Sequence, residues 1–162
     1  LPIVGMEPAL KPAHFARHGG KVLVLATDAT LRLEKFERLM RLYGDDVITV
    51  VGSGLVELVE SGRARAPEAR TLLEDLLGPY RQTQVDAVVL GCTHYPFLRE
   101  SIQRLFPKAD IFDGLTGTAA RLKYLLDENG LRSDDGPGSV EYQSSAGPEA
   151  VALMRRLMAE LG

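Results

Sequence analysis

The segment Lys21-Val22-Leu23-Val24-Leu25-Ala26 is almost continuously apolar, which is typical of a β-strand covered on both faces. The runs 47–51 (VITVV) and 85–90 (VDAVVL) have the same character. Weaker strand patterns lie at residues 2–4, 109–112 and 139–143, and the last of these alternates between apolar and polar side chains as an edge strand does. The sequence therefore predicts six short strands.

Helical patterns separate these runs. Apolar side chains recur three or four positions apart, which places them on one face of a helix. Helices are predicted at residues 31–43, at 67–77, from Pro96, at 116–126 and from Gly147. The alternation of strands and helices predicts an α/β fold, with a parallel sheet flanked by helices on both faces.

Composition narrows the classes of protein that this chain can be. Of the 162 residues, 45% are hydrophobic, which is typical of a globular protein. The net charge of −3 argues against a dedicated nucleic-acid surface, because such surfaces have an excess of basic residues. No apolar run approaches the roughly 20 residues that cross a membrane. The single cysteine, Cys92, excludes an internal disulfide and a cysteine-based zinc site. We therefore expect a cytoplasmic protein without a metal site.

The strongest candidate for chemistry is the segment Gly91-Cys92-Thr93-His94, which follows the third long strand. Ligands in open α/β sheets bind beyond the carboxyl ends of the strands. Unpaired N–H groups at the start of the next helix favour the thiolate form of a cysteine and can hold a carboxylate. His94 is then a plausible proton partner for Cys92. The alternative is a buried cysteine that packs as a small hydrophobe, beside a threonine and a histidine that cap the helix.

Two other strand ends carry weaker signals. Thr27 could bind an anion, although an N-cap role for one threonine or for Asp28 is the simpler interpretation. Ser53 is predicted to cap the helix after the second strand. Glu57 and Glu60 share one face of that helix, and either could reach the site or remain in solvent.

The eight residues Gly91-Cys92-Thr93-His94-Tyr95-Pro96-Phe97-Leu98 resemble the second cysteine motif of the bacterial glutamate racemases. Three further segments, 4–13, 25–30 and 52–60, resemble motifs of that family in the same order. The related aspartate racemases usually carry glutamate at the position of His94. The resemblance extends over essentially the whole chain.

The resemblance implies a function and a role for each matching residue. Cys92 would remove the α-proton of L-glutamate, with His94 as proton partner and Glu60 as an acidic support. Thr93, Thr27 and His94 would bind the substrate. The reaction would need no cofactor, since a thiol and a thiolate can act as acid and base on opposite faces of one carbon. The product, D-glutamate, would serve peptidoglycan synthesis.

The family's first lobe carries a second catalytic cysteine and an Asp-Ser motif, and this sequence contains neither. The resemblance therefore implies that residues 1–5 end a crossover from that lobe and that 6–112 form the cysteine-bearing lobe. Residues 113–162 would return to the missing amino-terminal lobe. We expect this chain to be inactive without that lobe. We also expect a homodimer, because the tail helix at 147–161 would expose apolar surface.

Three other functions fit parts of the pattern. An aspartate racemase-like enzyme would use the same loop. A non-catalytic module could bind a carboxylate or another anion at the same helix N-termini. A Cys-His hydrolase would need a histidine base from a separate segment of the chain. His94 lies only two residues from Cys92, which argues against this function.

Overall fold

The computed structural model describes residues 3–133, 136 and 138–161. Its sheet has four strands, β1 (Lys21–Ala26), β2 (Val47–Val51), β3 (Val85–Leu90) and β4 (Asp110–Asp113). All neighbouring strands are parallel, and their order across the sheet is β2-β1-β3-β4. In register, Leu23 lies between Ile48 of β2 and Val88 of β3.

Four of the six predicted strands are therefore confirmed, and two are not. Residues 139–143 are irregular, and Val140 is 74% exposed. An alternating pattern forms a strand only where a neighbouring strand accepts its hydrogen bonds. For the segment 2–4, Ile3 and Val4 are not in a strand, and Pro2 lies outside the described residues.

Helices fill the connections between strands. The described residues contain α1 (Leu10–Ala16), α2 (Asp28–Leu31), α3 (Glu34–Tyr43), α4 (Leu55–Glu60), α5 (Pro67–Leu77), α6 (Arg99–Leu105), α7 (Leu115–Glu128) and α8 (Pro148–Leu161). Short 3₁₀ helices occupy Gly78–Tyr80 and Tyr95–Leu98. The predicted helix 31–43 is two helices, because the chain turns at Arg32 and Leu33 and α3 begins only at Glu34. The helix predicted from Pro96 starts as a 3₁₀ turn before it continues as α6.

The sheet is covered on both faces, as the sequence predicts. Successive side chains of a strand point to opposite faces. One face forms a single apolar cluster with α1 and α3, built from Leu10, Ala13, Val22, Val24, Ala26, Phe36, Ala87 and Val89. The intervening residues Leu23, Leu25, Val88 and Leu90 are buried as well. Buried side chains of α4, α5 and α6 supply the other apolar layer, with Leu55, Val59, Leu73, Leu77 and Ile102. Each such side chain stabilises the fold by about 1.5–3 kcal/mol relative to exposure.

A carboxylate fixes the loop that leads into β1. Asp86 Oδ2 accepts hydrogen bonds from the backbone N–H groups of His18 at 2.6 Å and Gly20 at 2.7 Å. The hydrogen bond from Gly20, followed by that from His18, holds the pKa of Asp86 below its usual value of 3.8 despite some desolvation. A Cβ at Gly20 would stand 2.5 Å from Asp86 Oδ1, so only glycine fits this turn. The contact joins the start of β1 to β3 at the amino-terminal edge of the sheet.

The chain divides into two compact units, residues 1–122 and 123–162. The second unit holds the end of α7 and the helix α8. Within it, Arg155 stacks over the Tyr142 ring at 5.2 Å and Arg132 pairs with Asp127 at 3.1 Å. Met154 and Met158 of α8 are 39% and 52% exposed. Among the helices in the described part of the chain, none is long and apolar enough to cross a membrane.

Candidate active site

The sheet contains one position where the direction of its winding changes. The chain passes from β1 to β2 on one side and then returns to place β3 on the other side of β1. The loops after β1 and β3 therefore diverge and leave a crevice at the carboxyl edge of the sheet, where ligands of such folds bind. Thr27 follows β1 and Cys92 follows β3.

Gly91 permits the turn that brings Cys92 to this crevice. Its N–H donates to the carbonyl of Leu25 at 2.8 Å, which continues the pairing of β1 with β3 by one residue. A Cβ at this position would stand 2.8 Å from the Cβ of Ala26. The close approach of the two strands thus requires glycine, and it fixes Cys92 directly beyond the sheet.

Cys92, His94 and Glu60 form a continuous chain of polar contacts. The Sγ of Cys92 lies 3.7 Å from Nδ1 of His94, and Nε2 of the same ring lies 3.1 Å from Oε1 of Glu60. The His94 side chain is 27% exposed and that of Glu60 is 50% exposed. Of the two glutamates on α4, the structure brings Glu60 to His94.

The contact with Glu60 determines which ring nitrogen of His94 can accept a proton. A carboxylate is an acceptor only, so Nε2 must carry the hydrogen. In the neutral ring Nδ1 is then the acceptor, and it faces the thiol of Cys92. Its distance to Thr93 Oγ1 is 3.5 Å, at the limit of a hydrogen bond. His94 is thus oriented to take the proton of Cys92, and Glu60 to stabilise the imidazolium that results.

The threonines are divided between structural and site positions. Thr27 is the N-cap of α2: its Oγ1 accepts the N–H of Thr30 at 3.2 Å and lies 2.9 Å from the Thr30 hydroxyl. This is the capping role that the sequence suggested as the simpler one. Thr30 lines the crevice, and Thr93 does so from an exposed position.

A cavity of about 260 Å³ occupies the crevice. Its polar lining includes Cys92, Thr93 and Thr30, while Glu7 and Asp113 add two carboxyl groups. Its remaining lining is mostly apolar and comes from Met6, Pro8, Leu33, Leu90, Pro96 and Leu115. A larger cavity of about 510 Å³ lies along the first turn of α7 and Arg99. We place the site in the smaller cavity because it contains the thiol.

Asp113 is held in place by Arg99. The guanidinium donates to Asp113 Oδ2 at 2.5 Å and to the carbonyl of Ile111 at 3.1 Å. The other carboxylate oxygen accepts the N–H of Leu115 at 3.0 Å. In the described residues, no group of three or more histidine, cysteine and acidic side chains is placed to hold a metal ion.

The sequence did not identify the residues that support the site from behind. Tyr95 is fully buried, and its hydroxyl donates to the carbonyl of Gly52 at 3.1 Å. Burial raises the pKa of Tyr95 far above its ordinary value of 10.0, and Cys92 and then Glu57 raise it further.

The predicted cap of α4 by Ser53 is wrong, because the N-cap of α4 is Gly54 in the left-handed region at φ 81°. A glycine on each side of Ser53 was the only available signal.

Comparisons with known proteins identify the family to which this chain is similar. A family model described as Asp/Glu/Hydantoin racemase matches residues 1–122. The glutamate racemase of Clostridium perfringens (strain SM101 / Type A) is 45% identical over 137 residues, which are 83% of this chain and 53% of that protein. A solved glutamate racemase from Thermus thermophilus, in complex with β-chloro-D-alanine, has a TM-score of 0.78 at 30% identity and covers 99% of this chain.

A solved glutamate racemase from Escherichia coli, in complex with L-glutamate and an activator, has a TM-score of 0.75 at 26% identity. It covers 99% of this chain, which in turn covers 62% of it. The corresponding share of the Thermus thermophilus protein is 59%. The chain thus spans between half and two thirds of the length of these relatives.

Proposed function

Because the chain belongs to the Asp/Glu/Hydantoin racemase family, we propose that it is the Cys92-bearing part of a glutamate racemase. The observation that carries this proposal is the contact chain from Cys92 through His94 to Glu60, placed where the sheet opens a crevice. The relatives that bear the name glutamate racemase support the choice of substrate. One of them is described in complex with L-glutamate.

In the proposed reaction Cys92 removes the α-proton of L-glutamate. Nδ1 of His94 first accepts the thiol proton, which leaves a thiolate at the edge of the cavity. The imidazolium is stabilised by Glu60 at Nε2. The thiolate then takes the α-proton, and the substrate becomes a carbanion-like species whose carboxylate carries the developing charge.

Thr93 and Thr30 are placed to orient the substrate carboxylate. Both line the cavity that contains the Cys92 thiol. Thr27 acts on the same subsite by fixing the Thr30 hydroxyl at 2.9 Å. Glu7 adds a carboxyl group to the same lining, which suits the substrate ammonium group. Hydroxyl groups and a carboxyl group in one cavity match the two charged groups of an amino acid.

Racemisation requires a second acid on the opposite face of the α-carbon, because a single base returns the proton to the face it left. Cys92 is the only cysteine in this sequence. We propose that the second group comes from an amino-terminal lobe, with which residues 113–162 associate, and that this chain alone is inactive. The reaction uses no cofactor, takes place in the cytoplasm and supplies D-glutamate for peptidoglycan.

Proton NMR with L-glutamate in D₂O tests the proposal, with polarimetry alongside. We expect no loss of the α-proton signal with this chain alone. Adding the amino-terminal lobe of the Clostridium perfringens relative should produce exchange and racemisation. Cys92→Ala should abolish both, while His18→Ala, which removes an exposed imidazole outside the site, should not.

Three outcomes would contradict the proposal. Racemisation by the chain alone would show that no second lobe is needed. Exchange with L-aspartate in place of L-glutamate would favour an aspartate racemase-like enzyme. Binding of L-glutamate to the two-lobe mixture without any exchange would instead indicate a carboxylate-binding module.

A further inference from the structure

A buried tyrosine connects the two segments that carry Glu60 and His94. Tyr95 follows His94 directly, and its N–H donates to the carbonyl of Cys92 at 3.2 Å. Its hydroxyl crosses to the loop after β2 and donates to the carbonyl of Gly52 at 3.1 Å. The N–H of Gly52 in turn donates to Ala26 at the end of β1, at 2.9 Å. The peptide groups of Gly52 are thus held by the sheet on one side and by Tyr95 on the other.

The fit between Tyr95 and Gly52 leaves no free space. A Cβ at Gly52 would lie 2.3 Å from the tyrosine oxygen and 2.8 Å from the ring carbon that bears it. The Tyr95 ring therefore occupies the volume that any other residue at position 52 would fill. Glycine and tyrosine here form one packing unit across 43 residues of sequence.

The loop that Tyr95 holds leads directly into the helix that carries Glu60. Gly54 caps α4, and the N–H of Leu55, the first residue of α4, donates to the carbonyl of Gly52 at 3.3 Å. That carbonyl therefore receives both the first N–H of α4 and the hydroxyl of Tyr95. Because α4 has only six residues, the position of its first turn also fixes Glu60 at its last.

We propose that Tyr95 is a positioning residue that sets the spacing between Glu60 and His94 and thereby keeps His94 in the tautomer with hydrogen on Nε2. This inference rests on the role that the proposed function gives to the Cys92, His94 and Glu60 contacts. Tyr95 itself is fully buried and acts through His94. Its burial keeps the phenol protonated, so the hydroxyl remains a donor at every pH used below.

The test is ¹⁵N NMR of the histidine rings in the 162-residue chain at about pH 8.5, where an ordinary imidazole is neutral. His94→Ala assigns the signals. In the parent, we expect Nε2 of His94 to carry the hydrogen and Nδ1 to be unprotonated. Glu60→Ala should convert this single form into a mixture of both tautomers, which establishes the response to a lost partner.

Tyr95→Phe should shift the His94 signals in the same direction as Glu60→Ala, although the hydroxyl that it removes donates to Gly52. The control is Tyr43→Phe, which removes the hydroxyl of a different tyrosine that is half-buried at the end of α3. It should leave the His94 tautomer unchanged. Urea unfolding of each variant separates a general loss of stability from the local effect, since lower stability alone does not alter the tautomer of the folded state.

Gly52→Ala provides an independent variant, because its Cβ must displace the tyrosine. It should produce the same mixture of tautomers, whereas Gly78→Ala, where a Cβ meets nothing within 4 Å, should not. An unchanged His94 tautomer in folded Tyr95→Phe or Gly52→Ala would overturn the inference. If Glu60→Ala also left the tautomer unchanged, the contact between Glu60 and His94 would be refuted, and with it this part of the proposed mechanism. Absence of racemisation by the two-lobe protein, with the tautomer responding as expected, would refute the proposed function alone.

Discussion

Replacement of His94 by alanine should slow the alkylation of Cys92. The imidazole Nδ1 lies 3.7 Å from the thiol sulfur and is the group placed to accept its proton. Without it the thiolate loses both a proton acceptor and a neighbouring positive charge. Since Cys92 is the only cysteine, the reaction of the whole chain with iodoacetamide reports on this one sulfur.

The size of the effect follows from the distance. A thiolate and an imidazolium 3.7 Å apart attract by about 1 kcal/mol in bulk water and about 4 kcal/mol at an effective dielectric constant of 20. His94 is 27% exposed, so the true value lies above the lower limit. A free-energy change of about 1 kcal/mol corresponds to about a fivefold change in an equilibrium constant. A more basic thiolate is also a better nucleophile, which offsets about half of this change on a logarithmic scale. The alkylation rate at pH 7 should therefore fall at least two- to threefold.

The assay is the pseudo-first-order rate of iodoacetamide labelling at pH 7, followed by mass spectrometry at low ionic strength. His18→Ala is the matched control, because it removes an exposed imidazole near the opposite edge of the sheet. Its labelling rate should equal that of the parent. Equal rates in the parent and in both variants would refute the argument that His94 acts on the thiol.

Three further predictions concern stability and association. Gly91→Ala should destabilise the chain by about 1–3 kcal/mol in urea unfolding, because the new Cβ would lie 2.8 Å from the Cβ of Ala26. Gly117→Ala, inside α7 with open space around it, should instead stabilise the chain by about 0.5–1 kcal/mol. Equal effects of the two substitutions would contradict the packing argument. The lowered pKa of Asp86 contributes stability that is present above pH 3.8 and is lost as the pH falls through the folded-state pKa. The destabilisation caused by Asp86→Asn, about 1 kcal/mol at pH 7, should therefore disappear in thermal unfolding scans once the pH lies below that pKa. The exposed Met154 and Met158 should promote a homodimer, which sedimentation equilibrium can detect. The double substitution Met154→Lys and Met158→Lys should weaken that dimer. A parent chain that stays monomeric at high concentration would count against this prediction.

The central strands could be predicted because a strand that is buried on both faces has apolar side chains at consecutive positions. The segment 21–26 can be recognised without its partners, since a short apolar run that contains β-branched valines is typical of a covered strand. The segment 139–143 shows the limit of the method. Its alternation satisfies the local pattern of a strand, but strand formation also depends on a neighbour that no local pattern records. Helix boundaries at prolines were predictable for the same local reason, as α5 at Pro67 illustrates.

The loop 91–94 could be predicted as the site because its residue types and its place after a strand both come from consecutive sequence. The helical pattern alone left both Glu57 and Glu60 open as the partner of His94, and only the family resemblance pointed to Glu60. Glu57 and Glu60 lie on one helical face, and only the position of α4 decides which of them reaches the ring. That position depends on the contact between Tyr95 and Gly52, which are 43 residues apart. Choices of this kind require tertiary packing.

The positions of Cys92 and His94 are held mainly by attachments to the sheet and less by the short helix that follows them. Cys92 and His94 lie in the turn that precedes a 3₁₀ helix of four residues, and such a helix is too short to hold a rigid geometry by itself. Gly91 instead ties the start of this turn to β1 through the hydrogen bond to Leu25, and Tyr95 ties its end to the loop after β2. Both attachments lead to adjacent parallel strands, whose spacing the ladder fixes at about 4.8 Å. The contact chain from Cys92 through His94 to Glu60 comes from two separate segments, and it can keep its distances because both segments are anchored to the same rigid sheet.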